Sequence, residues 1–392
     1  MGNAMRPLRI LITNNTLAQR AGSELYVRDI ALALLKRGHS PIAYSTSLGD
    51  VARELKALTI PVVDDLRDMA AAPDLIHGHH HLETMTAVLS YPSTPALFVC
   101  HGWKPWQEAP PVHPNILRHV AVDDLCRERL LTTRGIAPEA TATIYNFVDP
   151  ERFPQRRDLP RRPSRALVFS NGQDDVPEPV RRACAAAGIG TVDIVGAKAR
   201  TAVADPGTVL GGYDLVFAKA RAAIEATASG CAVIVMDQDG LAGMLTSANF
   251  DELRRLNFGV RSLKTHAITE ANLASQIALY DRSDALAVSD RMRAEGDIDS
   301  AIDAWLRVYD DVLRDWERSG AEIDDRSRMR AAAEYVRTLG DVLKSRDNAL
   351  ARRQRAEREN RQLRRQLDEM LESRGWKIAE RYERLRARLT RR

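Results

Sequence analysis

The chain has 392 residues, 44% of them hydrophobic and 28% charged, which is the composition of a soluble globular protein. This length accommodates two domains of ordinary size and an additional element. No apolar run approaches the length of a membrane span, and the N-terminal residues lack the apolar core of a signal peptide, so we expect a cytoplasmic protein. The four cysteines form no Cys-x-x-Cys pair, which favours reduced core thiols over disulfides or a zinc knuckle.

The formal net charge of +4 is unevenly distributed along the chain. Residues 351–392 contain 15 Lys and Arg against 7 Asp and Glu, a net charge of +8, so the first 350 residues carry −4. The basic character therefore belongs to the C-terminal segment.

The first part of the chain alternates short apolar runs with helical segments. Residues 8–13 predict a strand, and a polar loop then leads to a helix over residues 24–37 that Gly38 ends. Further strands are predicted at residues 41–45, 60–63, 74–77, 96–100, 119–122 and 141–144, with helices from residue 50 and over residues 82–89. This alternation is typical of a parallel sheet, and we expect residues 1–151 to form a Rossmann-like domain.

Residues 152–165 interrupt the alternation with three prolines and many charges, which predicts an interdomain linker. The alternation resumes with strands at residues 166–170 and 191–195 and a helix over residues 180–187. The sequence therefore predicts an α/β fold in which a second Rossmann-like domain, residues 166–296, faces the first across a cleft.

Residues 213–236 are the most informative segment, with a strand predicted at residues 215–217, a helix at residues 220–228 and a strand at residues 232–236. Lys219, Arg221 and Glu225 fall where the first strand passes into the helix, a position at which α/β proteins hold anions. One interpretation is that the two cations neutralise a phosphate while the carboxylate binds sugar hydroxyls. The alternative is an ordinary surface ion pair between Arg221 and Glu225, which lie four residues apart on one helix face.

From residue 272 onward the chain is predicted to be helical. Residues 297–320 carry an apolar stripe at helical spacing, which predicts a helix that packs back toward the first domain. Residues 321–392 form a charged helical extension, in which Leu363, Leu367 and Met370 fit a short coiled-coil seam with Asn360 at a core position. A solvated single helix fits the same pattern equally well.

Five short motifs occur in order along the chain. They are Ala21-Gly22-Ser23-Glu24, Asp74-Leu75-Ile76-His77-Gly78-His79, Phe98-Val99-Cys100-His101-Gly102, Ile144-Tyr145-Asn146-Phe147-Val148-Asp149, and Glu225-Ala226-Thr227-Ala228-Ser229-Gly230. Their order and spacing resemble those of the GT-B glycosyltransferases, in particular the large retaining family 4, whose members transfer sugars from nucleotide-sugars to polysaccharide or lipid acceptors. The resemblance covers roughly residues 8–317.

The resemblance implies roles for several residues on the donor side. Gly22 and Ser23 approach the donor diphosphate at a helix N-terminus, and Asn146 belongs to the domain junction beside the donor. Glu225 binds the ribose hydroxyls of the nucleotide, and His101 lies beside the donor sugar. A histidine at the carboxyl end of a strand points into the cleft of an open α/β sheet, which agrees with this role for His101.

Other residues of the first domain are expected on the acceptor side. His77 and His79 are predicted to line the cleft, and Trp103 and Lys104 form either an acceptor wall or a surface loop with an aromatic anchor. Residues 77–81 contain four histidines, but no carboxylate or cysteine set completes a tetrahedral site at the usual spacing, so we expect no metal. No cofactor is expected beyond the nucleotide-sugar substrate itself.

The sequence departs from the family pattern at two phosphate-binding places. Phe217 stands where the family often has a glutamate, and residues 169–173 replace a glycine-rich loop that carries a lysine. We expect Lys219, Arg221 or Lys198 to supply the missing positive charge, because a departing nucleoside diphosphate develops charge on its oxygens. The resemblance implies front-face substitution without a bound metal.

A different class of function is a non-catalytic homologue that acts as a scaffold through its helical tail, which the lost lysine and glutamate would explain. A dehydrogenase is disfavoured because no Gly-x-Gly-x-x-Gly follows a strand. Nucleic acid is not an expected partner, since no helix-turn-helix pattern or aromatic strand surface accompanies the basic charge.

The basic end of the chain has three possible roles. Residues 373–392 place aromatic and aliphatic residues opposite arginines at helical spacing, which predicts a peripheral contact with anionic membrane, where lipid-linked acceptors are found. A homodimer contact through the tail and a solvated charged helix are the alternatives.

Overall fold

A computed structural model of the protein describes residues 6–372 together with residues 375, 376, 378 and 382. The chain divides into two compact units, residues 1–328 and residues 329–392. The predicted membrane-binding helix over residues 373–392 lies outside the described residues apart from those four isolated positions. The cysteines are all buried and unpaired, as predicted.

The first β-sheet contains seven parallel strands. These are β1 (Arg9–Thr13), β2 (Ser40–Tyr44), β3 (Val62–Val63), β4 (Leu75–His79), β5 (Ala96–Cys100), β6 (Ile116–Ala121) and β7 (Thr141–Thr143). The spatial order is β3-β2-β1-β4-β5-β6-β7. Helices α1 (Gly22–Lys36), α2 (Asp50–Ala57), α3 (His81–Ser90) and α4 (Asp124–Thr132) connect them. The predicted alternation is confirmed, although β3 is only two residues long where four were expected.

The second sheet has five strands in the order β12-β11-β10-β8-β9. They are β8 (Arg165–Phe169), β9 (Thr191–Val195), β10 (Leu215–Ala218), β11 (Ala232–Asp237) and β12 (Gly240–Met244). Strand β12 pairs antiparallel with β11 and was not predicted, because its sequence Gly-Leu-Ala-Gly-Met has few residues of high β propensity. The helices of this region are α5 (Glu178–Ala186), α6 (Gly207–Leu210), α7 (Ala220–Ala228), α8 (Phe250–Arg255), α9 (Glu270–Ile277) and α10 (Arg282–Glu295).

Residues 213–236 fold as the sequence predicts. Helix α7 spans Ala220–Ala228, the predicted range, and lies between the adjacent parallel strands β10 and β11. Gly230 ends the helix with φ at +87°, and a Cβ atom there would lie 2.2 Å from the carbonyl oxygen of Arg156. Both the left-handed backbone and the close approach of the linker require a glycine at this position.

Each sheet has a point where the order of strands reverses. In the first sheet this point lies between β1 and β4, and in the second between β8 and β10. Open α/β sheets bind ligands in the crevice at the carboxyl ends of such strands. The loops and helices that follow β1, β4, β8 and β10 are therefore where the fold positions a site.

The remaining helices are α11 (Ile298–Ser319) and α12 (Asp325–Glu372). The apolar stripe of α11 packs against α1 and β6 of the first sheet, and Trp305 and Tyr309 are fully buried there. Arg37 bonds two carboxylates of α11, Asp299 at 3.0 Å and Asp303 at 2.6 Å. Within the described residues, no helix combines the length and apolar character needed to span a membrane.

The chain crosses between the two sheet regions at two neighbouring places. The first crossing follows Val148 and the second precedes Ile298. Val148 N–H donates to the carbonyl of Gly296 at 2.8 Å, and Ile298 N–H donates to the carbonyl of Val148 at 3.0 Å. The two crossings are thus joined by backbone hydrogen bonds and lie side by side.

Candidate functional site

The helices that follow the two strand-order reversals meet at the domain interface. Arg221, the second residue of α7, donates through Nη2 to Asp29 of α1 and through Nε to Glu225, the latter at 2.7 Å. The three side chains are at most 15% exposed. The Arg221–Glu225 pair is therefore a buried part of the interface, and its interpretation as an ordinary surface pair is wrong.

Further charges surround Asp29. Its Oδ1 atom accepts from Arg28 Nε at 2.8 Å and from Arg152 Nη1 at 3.4 Å. The connected set, which we call the interdomain ion network, comprises Arg20, Arg28, Asp29, Glu54, Arg152, Asp205, Arg221 and Glu225. Its four arginines balance its four carboxylates, so the network carries no formal net charge.

Burial and ion pairing shift the pKa values of the buried carboxylates in this network in opposite directions. Burial raises the pKa of Asp29, but Arg221 and Arg28 outweigh it and the pKa lies below its usual value. Burial also raises the pKa of Glu225, and here Arg221 offsets it only in part, so the pKa stays raised. The difference follows from the number of cations, since Asp29 contacts three arginines and Glu225 contacts one.

Lys219 precedes α7 at the reversal point of the second sheet. Its ammonium group is bonded to Asp237 at the end of β11, and its side chain is 35% exposed. Burial lowers the pKa of Lys219, and Asp239 partly opposes the shift. Of the two cations predicted beside α7, Lys219 is the more accessible. The third predicted cation, Lys198, lies on an exposed loop after β9, with its Nζ 4.0 Å from Asp174.

The histidines of the first domain form a column of stacked rings. His77 and His79 lie 4.7 Å apart between ring centroids, and His79 and His101 lie 4.8 Å apart. His79 Nδ1 and His101 Nε2 share a hydrogen bond of 2.6 Å, as do His77 Nδ1 and the hydroxyl of Tyr309. His77 and His79 have no exposed surface, so the expectation that they line the cleft is corrected. Helix α11 covers them with Trp305 and Tyr309.

The histidine column is electrically neutral. Burial lowers the pKa of His77 to about 3 and that of His101 to about 4, and it holds the pKa of His79 well below the usual value. Neutral imidazoles both donate and accept, which permits the ring-to-ring hydrogen bond. His101 is the partly exposed end of the column, so it is the member of the column that remains a candidate for contact with a substrate.

Glu108 organises the loops beside His101. One carboxylate oxygen accepts the backbone N–H of His101 at 3.0 Å, and the other lies 3.1 Å from His80 Nε2. His80 has a positive φ of 60° and its Nδ1 accepts from the backbone N–H of Asn15 at 3.3 Å. Glu108 therefore connects the loops that follow β5 and β4, and His80 extends this connection to the loop after β1.

The other residues predicted for the donor side lie around this interface. Gly22 begins α1, and a Cβ atom there would meet nothing within 4 Å. Ser23 donates to Glu24 Oε2 at 2.9 Å. Asn146 lies two residues before Val148, where the chain first crosses between the sheets. Its Oδ1 atom is buried and accepts no hydrogen bond from the described residues. On the expected acceptor side, Trp103 is 45% exposed, and Lys104 Nζ lies 5.4 Å from the centre of its ring.

A second group of ion pairs crosses the interface. Asp124 of α4 binds Arg255 of α8 at 2.8 Å, and Glu128 of α4 binds Arg261 through two hydrogen bonds of 2.6 Å. Tyr145 also donates to Asp124 at 2.9 Å. The two domains are thus held together by α1 with α7 and by α4 with α8.

Metal binding finds no support in the geometry of the described part of the chain. There, no group of three or more His, Cys, Asp or Glu side chains is arranged to hold a metal ion. The imidazoles of residues 77 and 79 stack face to face, an arrangement that does not converge on one point.

Sequence reasoning missed Asp29, Arg152 and Glu108. The signal for Asp29 was present, because the doublet Arg28-Asp29 interrupts an otherwise apolar face of α1 and both side chains are buried. Arg152 was assigned to the linker as one of many charges, and only the fold shows that it reaches Asp29. Glu108 lies in a short loop without secondary-structure periodicity, so no sequence pattern pointed to it.

Comparison with known proteins gives a family for part of the chain. Residues 20–152 match the model of Glycosyltransferase Family 4. No curated protein sequence matches the chain significantly.

Solved structures share the fold at low sequence identity. Alr3699/HepE of Anabaena, crystallised with UDP and glucose, has a TM-score of 0.54 at 14% identity, covering 78% of this chain and 100% of that one. A glycosyltransferase from Rickettsia africae has a TM-score of 0.55 at 13% identity over 79% and 99%. Sucrose-phosphate synthase from Thermosynechococcus elongatus has a TM-score of 0.52 at 12% identity over 78% and 99%. The chain therefore shares the fold of these solved structures, and its residues 20–152 match the model of Glycosyltransferase Family 4.

Proposed function

We propose that the protein is a retaining, metal-independent glycosyltransferase that moves a sugar from a nucleotide-sugar to a glycan or lipid-linked acceptor. The observation that carries the proposal is the position of Glu225. It lies on the helix that follows the reversal point of the second sheet, and Arg221 fixes its carboxylate at the interface with α1 of the first domain. A carboxylate held there is suited to accept hydrogen bonds from ribose hydroxyls.

The N-terminus of α7 and Lys219 would receive the departing diphosphate. Backbone N–H groups at a helix N-terminus bind phosphate oxygens, and the ammonium group of Lys219, which is paired with the single carboxylate of Asp237, lies at the same end. Because both are in place before the bond breaks, they stabilise the charge that develops in the transition state. Arg221, which we expected to act on phosphate, is bonded to two carboxylates, so we assign it to positioning Glu225.

His101 is proposed to contact the donor sugar. Its ring is held by His79 on one side and Tyr26 on another, with ring centroids 4.8 Å apart in each case. Its lowered pKa keeps the ring neutral, so it would act as a hydrogen-bond donor or acceptor for hydroxyl groups. Trp103 and Lys104 are exposed on the following loop and are proposed to meet the acceptor.

The nucleotide is proposed to be UDP, since the structurally similar Anabaena protein was crystallised with UDP and glucose. The test is calorimetric binding of UDP, GDP and ADP, and of their sugars, to the full-length protein, with Glu225→Gln as the variant. We expect UDP to bind and Glu225→Gln to weaken it at least about tenfold, the effect of losing a charged hydrogen-bond acceptor. Glu178→Gln, an exposed carboxylate of α5, is the matched control and should leave binding unchanged. Absence of binding by every nucleotide would overturn the proposal.

Stereochemistry and metal dependence have separate tests. Proton NMR of the sugar released by slow donor hydrolysis should show the anomeric configuration of the donor. Hydrolysis should continue undiminished in EDTA. Inversion, or loss of turnover on chelation, would contradict the retaining or the metal-independent part of the proposal.

A non-catalytic scaffold is the second candidate. It is favoured by the neutralised charge of Arg221 in the interdomain ion network and by Phe217, which is buried within β10 where the family often has a glutamate. A scaffold would bind nucleotide without hydrolysing or transferring the sugar. Turnover by the wild-type protein that is lost in Lys219→Ala would rule it out.

We further propose that the enzyme works at the cytoplasmic face of the membrane in bacterial surface polysaccharide synthesis, with the basic residues 373–392 contacting anionic lipid. The support is the excess of arginine in that segment. Flotation with vesicles of phosphatidylglycerol and phosphatidylcholine should carry the full-length protein but not a chain that ends at residue 372. Equal flotation of both would refute the membrane contact.

A further inference from the structure

Helix α12 presents an apolar seam that is not buried by the described residues of its own unit. It runs over Asp325–Glu372, 48 residues or roughly 72 Å at 1.5 Å per residue, and none of its residues is buried. Leu363 is 58% exposed and Leu367 is 49% exposed. Large aliphatic side chains repeated along an exposed helix indicate a surface that is covered by another helix.

The seam can be numbered in a heptad repeat, written abcdefg, and the exposed Leu343 and Leu350 then lie beside it at position e. With Asn360 at position a, the other a positions from residue 339 to residue 367 are Leu339, Arg346, Arg353 and Leu367. The d positions in the same range are Val342, Ala349, Ala356 and Leu363. Ala356 and Asn360 line one shallow groove on this face together with flanking charged residues. A groove between a and d residues is the kind of hole into which a side chain of a partner helix packs.

The charged residues beside the seam favour pairing with a second copy of the same helix. In a parallel pair of identical helices, a residue at g lies opposite the e residue five positions later in the other copy. Arg352 at g then faces Glu357 of the second copy, and Glu359 at g faces Arg364 of the second copy. Both pairs join opposite charges, so the e and g positions over residues 352–364 are complementary between two copies, whereas Arg346 and Arg353 at a face their own counterparts.

Asn360 favours a parallel over an antiparallel arrangement of the two helices. In a parallel, in-register pair its side chain lies opposite the same asparagine of the other copy, and the two amides can bond to each other. In an antiparallel pair centred on this region, Asn360 would face a d-position residue, Ala356 or Leu363, and its amide would lose a partner, which costs about 1 to 3 kcal/mol. Asparagine at a is thus favourable in only one of the two directions.

We propose that residues 339–367 of α12 pair with a second copy of this chain as a parallel, in-register, two-stranded coiled coil. The occupant of the seam is identified by the two self-complementary charge pairs and by Asn360. Arg353, which lies in the seam at a, is paired within its own helix with Glu357 at e, at 2.8 Å. The proposal does not depend on the catalytic function proposed above.

The first test is the molar mass of the full-length protein by light scattering at a series of concentrations. The wild type should be a dimer. Glu359→Lys places like charges opposite each other twice per dimer and should raise the dimer dissociation constant about tenfold or more, whereas the double variant Glu359→Lys with Arg364→Glu restores opposite charges and should restore the dimer. Glu369→Lys, at the outward c position, makes the same charge change away from the seam and is the matched control.

The second test measures direction by disulfide formation. All four native cysteines are buried, so Ala356→Cys introduces a single accessible thiol at a d position. Mild oxidation should join two copies through residue 356, because a d residue faces its own counterpart only in a parallel, in-register pair. A wild-type monomer, a dimer that Glu359→Lys leaves intact, or a dimer that does not cross-link through residue 356 would each overturn the proposal.

Discussion

The two domains handle buried polar groups at their shared interface in opposite ways. On the second domain, α7 brings Arg221 and Glu225 to Asp29, and the charges remain because each has an oppositely charged partner. On the first domain, His77 and His79 are buried and His101 is partly buried, and burial lowers the pKa of all three imidazoles and keeps them neutral. The interdomain ion network therefore consists of paired charges, whereas the histidine column consists of neutral rings. The two groups should respond differently to mutation and to pH.

The largest expected effect is on the charged side. Arg221→Ala leaves Asp29 without its Arg221 contact and Glu225 without its paired cation, and both carboxylates are buried. We expect the free energy of unfolding to fall by about 3 to 5 kcal/mol, as when one partner of a buried ion pair is removed. Urea denaturation monitored by circular dichroism measures this.

Arg182→Ala is the matched control for Arg221→Ala. Arg182 also forms an i,i+4 pair, with Glu178 at 2.8 Å, but both side chains are at least 60% exposed. Its removal should change stability by less than about 1 kcal/mol, as for exposed ion pairs. Equal losses of stability in the two variants would show that the interdomain ion network stabilises the fold no more than an exposed ion pair does.

The next largest effect concerns Lys219, the accessible cation of the same side. If Lys219 stabilises the departing diphosphate, Lys219→Ala should reduce kcat for donor hydrolysis by about 10²- to 10³-fold, the usual effect of removing one electrostatic donor to a developing charge. The KM for the donor should change much less, because the interaction strengthens in the transition state. Lys198→Ala, which changes the exposed lysine after β9, is the comparison, and an equal loss of kcat there would contradict the assignment to Lys219.

The histidine column should make the free energy of unfolding depend on pH. The pKa of His77 is lowered to about 3 and that of His101 to about 4, while an unfolded histidine titrates near 6.5. Between these values the unfolded chain binds protons that the folded chain does not, so stability is complete above about pH 6.5 and falls as the pH decreases toward 4. Each such histidine contributes about 1.4 kcal/mol per pH unit in that range.

Replacing a column histidine should reduce this slope. Urea midpoints measured from pH 7.5 to pH 5 should fall less steeply for His77→Phe and for His101→Gln than for the wild type, whatever their absolute stability. His266→Gln, at an exposed position, is the control. A slope that neither column variant alters would mean that other groups produce the acid sensitivity.

The smallest expected effect lies at the start of α7. Ala220 has a φ of +49°, a left-handed conformation that costs an alanine about 1 to 2 kcal/mol. Ala220→Gly should therefore raise the free energy of unfolding by about 1 kcal/mol. Ala222→Gly, at the third residue of the helix, should lower stability because glycine is a poorer helix former than alanine. Destabilisation by both would show that Ala220 is not strained.

The fold could be predicted from the sequence more completely than the candidate site could. Alternating apolar runs and helix signals are local, and they identified α7 to the residue and the parallel strands of both sheets with few errors. Strand β12 was missed because its pairing with β11 depends on neighbouring chain and not on its own composition. For the same reason the burial of His77 was missed, since the helix that covers it begins more than 200 residues later.

The site residues show where local reasoning stops. Helical spacing correctly placed Glu225 and Arg221 on one helix face, but their partner Asp29 lies 192 residues from Arg221. Sequence alone left the choice between an ion pair and a phosphate site open, because the choice depends on which charges the other domain supplies. Lys219 was assigned to the same site, and only the fold shows that it is the more exposed cation.

The paired crossings at Val148 and Ile298 define a hinge. Because both crossings lie side by side, we expect a rotation of the second domain about this line to leave both sheets intact. Any rotation that opens the interface must separate Arg221 from Asp29 and Arg261 from Glu128, and closure must re-form both pairs. Ionic strength should then affect the rate at which the interface opens, because these ion pairs must separate first.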